Sequence, residues 1–208
     1  RRACGTGVPR HRGHRAEDQM NELYFIRHGK TAGNEQKRYI GRTDEPLSAL
    51  GRAELAEKDA PFAEIVAVSP LVRCVESAKI LYPHAKQFVV NGFRECDFGD
   101  FEGKNYAELF DNADYQAWID SNGTLPFPHG EQPLAFRARC VEAFGDFANT
   151  LRNGQSAALV VHGGTIMAIL SALALPKKDF YDWHIGNGQG VTAVWNGRTL
   201  AVGGALWQ

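Results

Sequence analysis

The chain has 208 residues, 44% of them hydrophobic and 23% charged, with a formal net charge of −1. That size suits one domain with a substantial core, and the composition is globular rather than fibrous or disordered. The near-neutral balance argues against a nucleic-acid or acidic-membrane partner, and no apolar run reaches the length of a membrane span.

Taken in order, the chain begins with a distinct segment. Residues 1–19 hold five arginines against Glu17 and Asp18, with almost no apolar side chains. Such a stretch cannot bury enough surface to offset its ordering entropy and is expected as a disordered N-terminal extension. Residues 20–208 are expected to form the domain. Glu22–Arg27 is a short apolar strand. Ser48 caps a helix from Ala49 to about Ala60. Ile65–Val68 is a second strand, followed by Ser69-Pro70 as N-cap and first-turn proline of a helix through about Leu81. Gln87–Val90 is a third strand. Residues 95–130, rich in glycines, aromatics and acids, break the rhythm and read as an inserted cap of short helices and loops. A long helix is expected from about Gln132 to Arg152, a buried strand at Ala158–Val161, and a helix from Thr165 to about Ala174. Thr192–Trp195 and Thr199–Val202 flank Asn196-Gly197, a hairpin signal.

Strands alternating with helices predict a three-layer α/β/α sandwich around a mostly parallel sheet, with one antiparallel element at the hairpin. Cys4, Cys74, Cys96 and Cys140 are scattered, without a CxxC pair. That spacing suits buried thiols of a reducing compartment, and a cytoplasmic location is expected.

The chemistry concentrates just past strand ends, where open α/β sheets bind ligands. Arg27-His28-Gly29 follows the first strand. The arginine supplies a permanently charged fork, the imidazole a nucleophile, and the glycine room for a bulky anion. His162-Gly163-Gly164 follows another strand in the same way, with a helix N-terminus suited to an anion. Arg73 stands in the first turn of a helix, unfavourably placed along the dipole unless it answers to an anion. Between Arg94 and Gly103 lie four acids, Glu95, Asp97, Asp100 and Glu102, any of which suits proton transfer. Chemistry alone does not choose among them. His11 and His14 lie in the arginine-rich extension, and Gly186–Gly190 lacks the strand–helix setting of a dinucleotide loop and reads as a turn.

The ordered set Arg27-His28-Gly29, Asn34, Ser69-Pro70-Leu71-x-Arg73, Glu95-x-x-Phe98-Gly99-x-Phe101-Glu102-Gly103 and His162-Gly163-Gly164 resembles the histidine phosphatase superfamily, which includes the cofactor-dependent phosphoglycerate mutases. The resemblance spans roughly residues 21–205 and implies the phosphoglycerate mutase-like fold. It implies His28 as the phosphorylated nucleophile, Arg27, Arg73 and His162 as the phosphate pocket, and Glu95 as the proton donor. Asn34, Arg42 and Gly163 are the implied substrate contacts. It implies no cofactor and no metal, and a small-molecule phosphomonoester as partner; a homodimer stays open. The chain departs from the family at Gly130-Glu131-Gln132, where Gly-Glu-Ser is common, and at Lys30, where an acid is common. Both departures bear on substrate preference rather than on the phosphate pocket.

The expected reaction is hydrolysis of small phosphorylated metabolites through a phosphohistidine. The segments Tyr39–Leu47 and Phe98–Gly103 look similar to α-ribazole phosphatases of cobalamin synthesis. A phosphoglycerate mutase and a non-catalytic phosphate-binding module are the alternatives. Phe101, Tyr106 and Trp118 are either substrate contacts or the cap's own core.

Overall fold

The computed structural model describes residues 19–207. The expected disordered extension therefore lies outside the described residues save for Gln19, as do Cys4, His11 and His14. Among the described residues no helix is long and apolar enough to cross a membrane.

Strand β1 (Asn21–Arg27) leads into a one-turn helix, α1 (Ala32–Glu35), and then α2 (Ala49–Ala56). Strand β2 (Ile65–Val68), helix α3 (Val72–Leu81) and strand β3 (Gln87–Val89) follow. Two short helices, α4 (Tyr106–Leu109) and α5 (Ala113–Asp120), occupy the region after β3, followed by the long α6 (Pro133–Ala148). Strand β4 (Ala157–Val161), helix α7 (Gly163–Leu173) and strands β5 (Ala174–Leu175), β6 (Gly190–Trp195) and β7 (Leu200–Ala205) complete the domain.

The strands form one sheet in the order β3-β2-β4-β1-β6-β7-β5. β3, β2, β4 and β1 are mutually parallel, and β6 runs antiparallel to both β1 and β7. Because β5 is parallel to β7, β6 is the one reversed strand among those described. Alternation along the central strands divides the core. Leu23 and Phe25 of β1, with Ala157, Leu159 and Val161 of β4, face a cluster that includes residues of α6 and α7. Tyr24, Ile26, Ala158 and Val160 face the opposite cluster, with Leu55 of α2 and Ala78 and Leu81 of α3. The period of two thus sends each central strand's side chains into both layers, giving the α/β/α sandwich. β4 is buried along its whole length. Each fully buried Val or Leu there contributes about 1.5–3 kcal/mol of hydrophobic stabilisation.

Four of the expected helix boundaries shift. α2 stops at Ala56 rather than Ala60, with Lys58 N–H closing onto the Leu55 carbonyl; Ala60 precedes Pro61, whose ring disfavours helical backbone before it. α3 begins at Val72, so Ser69 is not its N-cap. α6 ends at Ala148, and the chain loosens into turns before Gly154, whose φ is +79°. α7 starts two residues early, at Gly163. The Asn196-Gly197 signal marks a hairpin in which Trp195 pairs with Leu200 across a four-residue loop, and Gly197 takes φ +87°.

Candidate active site

β1, β2 and β4 run in one direction, so their carboxyl ends bring three polar segments to one rim. His28 follows β1, and its N–H donates to the Val161 carbonyl at the end of β4 (2.9 Å). His162 follows β4 and is wholly buried; its ring centroid lies 5.2 Å from that of His28 in an edge-on arrangement. The turn Gly186–Gly190 closes this rim, since Gly188 N–H donates to the His28 carbonyl (2.9 Å).

Each histidine is oriented by one partner. His28 Nδ1 lies 2.7 Å from the Gly29 carbonyl. A carbonyl only accepts, so Nδ1 carries the proton and Nε2 of the neutral ring keeps its lone pair. Burial, then the guanidiniums of Arg73 and Arg27, push the His28 pKa well below its ordinary 6.5, so the ring stays neutral. His162 is pushed down by burial and by Arg73 as well. Its Nε2 sits 2.7 Å from Ser69 Oγ, with the buried Cys74 Sγ 3.5 Å away. Ser69, expected as a helix cap, instead orients a histidine from the end of β2.

The two arginines surround this pair. Arg27 Nη1 donates to the Ile185 carbonyl (2.8 Å) and lies 3.4 Å from His184 Nε2. Arg73 is wholly buried; Nη1 donates to the Thr43 carbonyl (2.7 Å) and Nη2 to that of Gly41 (2.8 Å). Gly41 permits that anchorage, because a Cβ there would come within 1.9 Å of the Cys96 carbonyl oxygen. Arg73 is therefore also the clamp of the 40–43 loop, and truncating it would disturb the fold as well as the site. Arg27 Nε and Arg73 Nε are buried without an acceptor among the described residues. An unpaired buried donor is costly, and a charged one more so, until an anion occupies the space it faces.

Glu95 reaches the rim from a 3₁₀ turn (Asn91–Phe93) after β3. Its Oε1 accepts from Cys96 N–H (3.0 Å) and its Oε2 from Gly164 N–H in the first turn of α7 (3.0 Å). A Cβ at 164 would lie 2.3 Å from Glu95 Oε1, so a larger residue there would push the carboxylate out of place. Burial raises the Glu95 pKa above its ordinary 4.5, favouring the protonated acid.

Arg27, His28, Asn34 and Glu95 line one cleft of about 320 Å³. Asn34 Oδ1 accepts from Asn187 Nδ2 (3.0 Å) and from Thr31 N–H (3.3 Å), which leaves Asn34 Nδ2 as a donor. Gly163 lies under the Arg27 guanidinium, where a Cβ would sit 3.3 Å from its central carbon. Arg42 is not in this cleft. It lies exposed against Asp97 (3.2 Å), in a neighbouring groove with Arg94 and Arg139, because the loop that carries it is drawn down by Arg73.

A second, aromatic chamber adjoins the cleft and shares Arg27, Tyr39, Glu95 and Phe98 with it. The three aromatics singled out in the cap separate here. Phe101 is buried behind the chamber and Tyr106 is largely exposed, whereas Trp118 is on the chamber wall. His184 and Asn187, which reading the sequence did not single out, both belong to the site. They stand in irregular chain with no periodicity to mark them.

Comparison with known proteins supplies the family and the shared fold. The chain is 28% identical over 184 residues to the Hydrogenobacter thermophilus protein named "Putative phosphoserine phosphatase 2", covering 84% of this chain and 89% of that one. It is 31% identical to the Proteus mirabilis protein named "Probable phosphoglycerate mutase GpmB", over 76% of this chain and 77% of the relative. The solved structure of the α-ribazole phosphatase from Shigella flexneri superposes with a TM-score of 0.77 at 21% identity, over 88% of this chain and 94% of that one, and so shares the fold. Residues 23–203 match the model of the histidine phosphatase superfamily (branch 1), and the chain belongs to that superfamily.

Proposed function

We propose that the protein is a phosphomonoesterase that hydrolyses small phosphorylated metabolites through a phosphohistidine at His28. The observation that carries this reading is the pair of buried arginine Nε donors that find no acceptor among the described residues, beside a neutral imidazole whose Nδ1 holds the proton and leaves Nε2 its lone pair. The arginines suit the equatorial oxygens of a phosphoryl group in transfer, where positioning and charge stabilisation supply most of the catalysis.

In the first step His28 Nε2 bonds to phosphorus and the phosphorus–oxygen ester bond breaks. The proton of the Glu95 carboxyl goes to the leaving alcohol oxygen. In the second step a water oxygen bonds to phosphorus, the nitrogen–phosphorus bond breaks, and Glu95 takes the proton from water. The raised Glu95 pKa and the lowered His28 pKa favour the protonation states this sequence starts from. A phosphoglycerate mutase would use the same intermediate and return the phosphoryl group to a sugar acid. The aromatic wall beside the cleft favours hydrolysis of a ring-bearing ester over a small polyanionic acceptor.

The test is a rapid-quench experiment on a panel of phosphomonoesters that includes α-ribazole 5′-phosphate and the phosphoglycerates. Phosphate release accompanied by an acid-labile phosphoenzyme, both lost in His28→Ala, is the expected result. Release that survives His28→Ala would overturn the mechanism. Exchange of phosphate between phosphoglycerates without net release would favour the mutase.

A further inference from the structure

The chamber beside the cleft holds about 200 Å³ and is walled by Tyr39, Phe98, Trp118, Phe127, Phe136 and Phe180. A dry apolar cavity of about 150 Å³ is enough for benzene. The chamber therefore suits one ring with a small substituent. Its outer wall is closed by contact between the cap and the 3₁₀ turn Phe180–Trp183 (a Cβ on Gly123 would lie 1.9 Å from the Tyr181 hydroxyl).

One charge in this wall lacks a counterpart. Arg137 projects from α6 with its guanidinium carbon 3.9 Å from the centre of the Phe180 ring. Two residues along the same helix, Arg139 is fully engaged, bidentate to Glu131 (3.0 and 2.8 Å) and bonded to the Gly92 and Arg94 carbonyls. Arg137 has no ion pair and no hydrogen bond among the described residues, although it is partly buried. Stacking on Phe180 uses the face of the guanidinium and leaves its edge of N–H donors without a protein acceptor among the described residues, open to solvent or to a ligand in the chamber. Arg27 and His184 also line the chamber, and Glu95, which with Arg27 stands where chamber and cleft meet, is the one carboxylate among its described lining residues.

We propose that the chamber receives the alcohol part of the phosphomonoester, and that Arg137 selects alcohols whose flat apolar body carries an anionic group, a carboxylate or a second phosphate. This rests on the phosphatase reading above. It names a property that the reading leaves open: the preferred ester bears two anions separated by a ring. α-Ribazole 5′-phosphate has the ring but not the second anion and ranks below such esters.

The test compares phenyl phosphate with 4-carboxyphenyl phosphate and 1,4-phenylene bisphosphate on the wild-type protein, Arg137→Met and Arg137→Lys. The wild type should favour at least one doubly anionic ester by about tenfold or more in kcat/KM, the scale of one charge-assisted hydrogen bond. Which of the two it favours tells a carboxylate from a phosphate. Arg137→Met should lose the preference while keeping its rate on phenyl phosphate, and Arg137→Lys should keep part of it. Equal rates on all three esters in the wild type, or an undiminished preference in Arg137→Met, would overturn the proposal. Calorimetry with phenylphosphonate and 4-carboxyphenylphosphonate, which cannot be hydrolysed, supplies a readout free of turnover. If no ester is cleaved yet the wild type binds the carboxylated phosphonate more tightly and Arg137→Met does not, the phosphatase reading fails and the Arg137 assignment stands. If the phosphonates bind equally to wild type, the assignment fails whatever the activity.

Discussion

The phosphate floor and the aromatic chamber meet along Arg27, Tyr39, Glu95 and Phe98, yet they are built in opposite ways. The floor comes from short motifs at the ends of parallel strands, held by backbone hydrogen bonds such as His28 N–H to Val161 O. The chamber comes from side chains of separate segments, among them α5, α6 and the turn at Phe180–Trp183, that touch only after the cap has folded over the sheet. The difference separates two tasks. On the proposed function, the strand ends hold the phosphoryl group common to every ester, and the chamber sorts the alcohols attached to it.

Changes in the chamber's backing should therefore cost stability and rerank substrates, whereas changes in the floor should slow all substrates alike. The largest expected effect is on the first side. Phe101 is 1% exposed and meets Tyr115, Trp118 and Phe127 edge-on. Phe101→Ala should destabilise the protein by about 3–5 kcal/mol, read by denaturant unfolding. Below its melting range the variant should still form the phosphoenzyme but lose discrimination among aryl esters. Unchanged discrimination would break the comparison.

Arg27→Ala comes next. Removing one donor to a developing oxyanion costs about 3 kcal/mol, roughly a hundredfold in rate. The expected loss in kcat/KM is the same for phenyl phosphate and for an alkyl phosphate. A loss confined to one of them would place Arg27 with the alcohol rather than the phosphate.

The pH dependence tests the floor's electrostatics. In the proposed mechanism His28 attacks only while neutral, so activity should be lost as pH falls through its pKa, which lies well below 6.5. The acid works only while Glu95 is protonated, so the other limb falls as pH rises through a pKa raised above 4.5. The opposed shifts widen the range in which both forms coexist. Glu95→Gln should abolish the alkaline limb of the kcat/KM profile along with most of the activity. Folding stability should decline as pH drops below 6.5, because unfolded imidazoles bind protons that buried His28 and His162 refuse. Thermal unfolding of wild type against His162→Asn across pH 5–7 reads this, with the variant showing the shallower decline (a range of roughly two pH units about the ordinary histidine value).

The smallest effect is expected at Lys30, the neighbour of the nucleophile's glycine. Its ammonium turns away to Glu54 (2.6 Å), and both side chains are more than one-third exposed. Lys30→Ala should change stability by less than about 1 kcal/mol and leave turnover unchanged. A marked rate change would extend the floor beyond its buried residues.

Legibility followed the same division. β1 and β4 are readable because their apolar runs are local, and the polar triplets after them gain meaning because they recur past two strands. Ser69 was legible as a position but not as a role: a serine before a proline suits a helix cap, and only the approach of β4 brings His162 Nε2 to its hydroxyl. Arg42 was placed with the substrate by motif, yet the loop held by Arg73 turns it toward Asp97. Among Phe101, Tyr106 and Trp118, composition says nothing about which ring faces a chamber and which faces the core.

The alternation of strands and helices, the buried strands and the residues that follow them are written in local stretches of the chain. These depend on backbone periodicity and on neighbours a few positions apart. Packing alone sets Arg27 against the Ile185 carbonyl, 158 positions away, and leaves its Nε unpaired and Arg137 in its aromatic wall without a counter-ion among the described residues. Those facts depend on which surfaces meet when the cap and the last turn close on the sheet, and no local pattern in the chain encodes that meeting.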